Sequence, residues 1–184
     1  MYLPGRNEAL AELGGAHWGL LPALACLPWL LSQAGDPAGL KAMTFFLMAA
    51  LMASSDVATR KIPNQLTALA AIGGLGWGLL GGGFAGLGQA LLGGAVGFGL
   101  MLVFYVLGAV GAGDVKALGA LSCFLAPWPA LMLFVLISLA GGVLAVVRMV
   151  ASRRVFSPAP VKTLPYGLAI ASGALILVLQ GGLP

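Results

Sequence analysis

An all-α, polytopic bundle of transmembrane helices is the fold class this sequence predicts, and three observations predict it. The chain is 60% hydrophobic and only 8% charged, whereas a soluble domain carries about 25% charged residues to solvate its surface. Its apolar residues come in long blocks separated by short polar breaks, the pattern of stacked membrane spans. Its 29 glycines fall inside those blocks without a Gly-x-y period, where small residues let helices approach closely in lipid.

Taken in order, the first segment opens amphipathically with Arg6, Glu8 and Glu12, becomes apolar over 17–31 despite Pro22 and Pro28, and ends at Gln33. Its basic start is thin and no small-residue cleavage site follows, so it does not read as a cleavable signal peptide. Further apolar runs cover 40–53, 66–80, 87–107, a shorter 115–125, then 130–147 and 166–179. Six long segments and one short one are therefore expected, as a single integral-membrane domain over residues 1–184. The breaks at 81–86 and 127–129 read as loops on the outer side.

Charge orients the bundle. With the first terminus in the cytoplasm, Arg6, Arg60, Lys61, Lys116, Arg148, Arg153, Arg154 and Lys162 fall inside and only Lys41 falls outside, as the positive-inside rule requires. This threading makes the short 115–125 piece reach back across the bilayer. It predicts a multi-pass protein of the inner (plasma) membrane, with lipid as its solvent. The net charge of +4 forms no long basic stripe, which excludes a nucleic-acid partner. Cys26 and Cys123 lie in separate apolar segments and the chain has one histidine, so neither a zinc framework nor a disulfide scaffold is expected. No metal or other cofactor is called for.

Only five acids remain to carry chemistry. Glu8 and Glu12 read as a solvated face, and Asp36 before Pro37 as turn chemistry. Asp56 and Asp114 stand where apolar runs meet the cytoplasmic interface, on the same side, and ionisable groups at membrane depth are costly enough to suggest a function. Each also has a purely local reading. Asp114 can cap the helix that follows it, and Asp56, near the negative end of a helix, can pair with Arg60 or Lys61. As a pair they offer more. Two carboxylates in one site cannot both ionise, so one stays protonated while the other acts as a base. That suits amide hydrolysis by an activated water, and the glycines before Asp114 would let the backbone approach an extended substrate. The same two acids would also serve a small proton- or cation-coupled transporter. Other proteolytic schemes fit poorly: there is no H-E-x-x-H, Ser172 has only the distant His17 as a base, and no spacing selects Lys116 with Ser54, Ser55 or Ser122.

The stretch Gly111-Ala112-Gly113-Asp114-Val115-Lys116 resembles the GxGD signature of intramembrane aspartyl proteases. The stretch from Asp56 through Arg60-Lys61-Ile62-Pro63-Asn64 to Leu66-Thr67 resembles the first aspartate motif of type IV prepilin peptidases. The late stretch Leu164-Pro165-Tyr166-Gly167-Leu168-Ala169-Ile170-Ala171 is similar to that family's final-helix opening. The three motifs occur in family order within about residues 54–173. The resemblance implies removal of the basic leader from a prepilin or pseudopilin at the cytoplasmic face, with Asp56 and Asp114 as the catalytic pair. It implies a substrate made of that leader and its first transmembrane segment. Gly111 and Gly113 would shape the loop, and Lys116 belongs to the motif without an assigned role. Locally, Pro63 pushes Ile62 out of the helical region, and Pro63 or Asn64 can start the next helix. Larger members carry paired CxxC motifs ahead of the first span and also methylate the product. This sequence contains no CxxC, so peptidase activity without N-methyltransferase activity is expected. The short form is similar to the peptidases of tight-adherence (Flp-type) pili, with type II secretion and archaeal preflagellin processing as related alternatives.

Overall fold

A computed structural model describes residues 35–151 and 166–181 of the chain. The expected segment at 17–31 and the basic residues Arg6, Arg153, Arg154 and Lys162 lie outside them. Every regular element among the described residues is an α-helix: α1 (Pro37–Thr59), α2 (Asn64–Val106), α3 (Ala112–Ser122), α4 (Pro127–Ala151) and α5 (Tyr166–Leu179). Three stretches, Pro37–Thr59, Asn64–Val106 and Pro127–Leu144, are long and apolar enough to cross a membrane, and Gly167–Leu179 is a shorter apolar helix. Their outer faces carry large apolar side chains in the open, with Ile72 68%, Leu80 83% and Phe84 88% exposed. That pattern suits lipid and not water.

Local chemistry starts and stops each helix. α1 begins at Pro37, preceded by Asp36 in extended backbone, which uses the proline's fixed φ where its missing N–H costs nothing. It runs to Thr59, past the apolar run that ends at Ala53, because Ser54, Ser55, Asp56 and Thr59 continue the helix instead of opening a loop. Ser54 and Thr59 return their hydroxyls to the carbonyls of Leu51 and Ser55. Arg60 ends the helix in a left-handed conformation, φ 54°, which costs a non-glycine residue about 1–2 kcal/mol. The turn is pinned by the Ser55 hydroxyl, which donates to the Lys61 carbonyl at 2.9 Å, and by the Thr59 hydroxyl, whose single proton is shared between the carbonyls of Ser55 and, at 3.1 Å, Lys61. Pro63 then precedes α2, as expected.

α2 corrects the expected loop at 81–86. Helical backbone continues through the region and breaks only at Gly83, φ 59° and ψ −144°, a conformation open to glycine. The break reverses the chain. A Cβ on Gly78 would lie 2.9 Å from that of Ala90, although twelve residues of straight helix would separate them by about 18 Å. α2 is thus a hairpin of two limbs, 64–82 and 84–106, matching the two apolar runs read from the sequence. The expected loop at 127–129 is also corrected. The turn lies at 123–126, and Pro127 opens α4.

The core is built from Phe45, Phe46, Met52, Met101, Leu118, Leu121, Leu133, Ile137 and Ile170, all at most 1% exposed. Phe45 meets Phe124 edge-on, with ring centroids 5.7 Å apart. Two pairings dominate: α3 lies chiefly on α2, and α1 chiefly on α5, while α4 packs on both α5 and α2. Direct contact between α1 and α3 is slight.

Candidate active site

One end of the bundle holds a cleft of about 920 Å³, and both Asp56 and Asp114 line it. Residues 60–62 of the loop after α1, the end of the second α2 limb, the loop 108–111 and the small residues Ser138, Gly141 and Gly142 of α4 complete its wall. Arg60, Lys61 and Lys116 stand at this end, while Lys41 lines a separate cavity with Gly81, Gly82 and Gly86 at the hairpin tip. The acids and these three cations therefore share one end, and Lys41 takes the other.

Asp56 is buried, 8% exposed, in the last turn of α1. It lies inside the helix, not after it. Its Oδ2 accepts the backbone N–H of Gly167 at 2.8 Å, one of the donors left unpaired in the first turn of α5. The carboxylate thus sits at the negative end of its own helix and at the positive end of another. The 111 residues separating the two hid this contact from the sequence, where Gly167 was visible only as part of the final-helix stretch.

Asp114 occupies the third position of α3, with Gly111 as the residue before the helix. The Gly111 N–H donates to Asp114 Oδ2 at 3.2 Å, which is the carboxylate half of a capping box; glycine has no side chain to supply the other half. The capping reading of Asp114 is therefore partly right, from inside the helix and not from its cap position. Asp114 stands in the first turn of α3, ahead of the short apolar run at 115–125. Burial pushes its carboxyl up to about 6, against the Gly111 amide and helped by the Asp56 charge.

Gly111 and Gly113 both line the cleft, Gly111 in extended backbone and Gly113 within α3. Ile62 and Asn64 line it too, and Pro63 sets the entry of α2. Lys116 gains a partner that the sequence did not assign: its Nζ donates to Asn64 Oδ1 at 3.2 Å. This bond ties the two motif stretches across the cleft mouth. It is exposed and so worth about 1 kcal/mol. Lys116→Ala is expected to lower kcat/KM less than about 10-fold, read by cleavage kinetics in membranes; a larger fall would give the ammonium a direct role.

Residues 43–147 match the type IV leader peptidase family. The chain belongs to that family. The match spans both aspartate motifs and ends before α5, so the leader-peptidase match itself does not include Gly167. No curated protein and no solved structure matches the chain.

Proposed function

We propose that the chain is an aspartyl endopeptidase that removes the basic leader from a prepilin or pseudopilin at the cytoplasmic face of the inner membrane. The observation that carries this reading is the convergence of Asp56 and Asp114, 58 residues apart in sequence (114 − 56), on one cleft in a member of the leader peptidase family. The cations at the same end support a cytoplasmic placement. A transport role would need acids strung along the bundle interior; both stand at helix ends.

In this mechanism Asp114 holds the shared proton and Asp56 is the base. Asp56 takes a proton from water as its oxygen adds to the scissile carbonyl carbon, and Asp114 gives its proton to the carbonyl oxygen. The C–N bond then breaks, the amine nitrogen takes the proton from Asp56, and Asp114 regains one from the tetrahedral hydroxyl. Each carboxyl ends as it began.

Co-expression with a prepilin tests the activity: the native chain in membranes shortens the substrate by its leader. An intact substrate beside well-accumulated enzyme, over a panel of pilins and pseudopilins, overturns the reading. The acid role of Asp114 sets the pH dependence. With its carboxyl pushed up to about 6, the protonated form is lost as pH rises through that value. Cleavage by purified enzyme is expected to decline there on the alkaline side. A rate still rising above pH 8 would remove Asp114 as the acid.

A further inference from the structure

Gly167 lies outside both aspartate motifs, yet it contacts the Asp56 carboxylate directly. Its N–H reaches Oδ2 at 2.8 Å in a buried setting. Such an approach requires the two helices to be nearly in backbone contact. A Cβ on Gly167 would lie 2.8 Å from the Ala53 Cα, 2.8 Å from the Asp56 Cβ and 3.1 Å from Oδ2. Two of those atoms belong to, or are fixed to, the α1 backbone and cannot swing aside. Any side chain at 167 therefore pushes α5 away from α1 at the level of the carboxylate.

We propose that Gly167 is a positioning residue for the reaction: its amide fixes one oxygen of Asp56 and leaves the other to face the cleft. This inference rests on the aspartyl-peptidase reading and deepens it. The hydrogen bond restricts the carboxylate to one orientation in a side chain that otherwise rotates about two bonds. Water and substrate then meet a base already aimed. Losing that aim by about 1 Å is enough to cost roughly 100-fold in rate, with little change in how the leader and its following segment bind. α5 thereby acts as part of the site although it contributes no reacting group.

The test is a kinetic comparison of Gly167→Ala, Asp56→Glu, Asp56→Asn and Gly173→Ala in membranes, using a prepilin the native chain cleaves. Gly167→Ala is expected to lose roughly 100-fold in kcat with KM within about twofold. Asp56→Glu keeps an acid but carries it one methylene past the amide, so a similar loss is expected without any change in α5. Gly173→Ala is the structural control. Its Cβ would meet Ile137 Cγ1 at 2.6 Å, a clash on the same helix away from the acids, and it should lose thermal stability while keeping native kcat per folded molecule. If Gly167→Ala or Asp56→Glu accumulates and cuts at the native kcat, the positioning role is overturned. If Gly173→Ala loses kcat as much as Gly167→Ala does, the effect is general helix displacement and the proposal also falls. If Gly167→Ala does not accumulate, Asp56→Glu alone decides. Cleavage by Asp56→Asn at the native rate would instead sink the aspartyl reading beneath it.

Discussion

Asp56→Asn is expected to give a folded, membrane-inserted chain that cuts prepilin at least about 10³-fold more slowly than the native enzyme. Its force as a test comes from what the substitution preserves. Asp56 Oδ2 caps the first turn of α5 through the Gly167 N–H, and asparagine is as good an acceptor at a helix N-terminus as aspartate. The amide oxygen can keep that bond, so packing of α1 on α5 should survive. What asparagine cannot do is take a proton from water. Asp114→Asn should behave alike, keeping an acceptor for the Gly111 N–H while losing the proton donor. The measurement is leader removal alongside thermal stability in detergent. A variant that melts as the native chain does and still cuts at the native rate would reduce its aspartate to a cap, and the two-carboxylate mechanism would fail.

The second large effect concerns stability and comes from Gly93, in the second limb of α2. A Cβ there would collide with the Leu125 carbonyl oxygen and come within 2.7 Å of the Ser122 carbonyl oxygen. Both are backbone atoms at the end of α3 and the turn after it. Lipid gives helices no hydrophobic reason to associate, so close packing carries this contact, and overpacking it should cost about 3 kcal/mol. Gly93→Ala is expected to lower the melting temperature and the amount of folded enzyme. It should also depress activity per folded molecule, since α3 carries Asp114. The control is Gly88→Ala in the same limb, where a Cβ meets nothing within 4 Å; there alanine should be neutral or slightly stabilising, because it favours helix. Equal melting temperatures for the two variants would mean that α3 does not depend on this approach.

The helices were legible in the sequence because runs of apolar residues report membrane burial directly, and both acids were legible because charge at such depth is rare. Boundaries were less so. Ser54, Ser55 and Asp56 look like loop residues, but hydroxyls satisfied within the helix let α1 continue to Thr59. The 81–86 glycines look like a loop, and only Gly83 departs from helix. Gly167 showed only as one residue of the final-helix stretch, and the contact of its amide did not show: a backbone N–H is the same in every residue but proline, and its partner is 111 positions away. The Lys116–Asn64 bond was hidden for the same reason, although both residues had been singled out separately.

One feature of the packing bears on how the two acids are held apart. Asp114 rides on α3, whose main support is the α2 hairpin, while Asp56 rides on α1, whose main support is α5. The two supports meet chiefly through α4, which places Ser138, Gly141 and Gly142 in the cleft wall. The two carboxylates are thus carried by two separate pairs of helices that share α4 as a common neighbour.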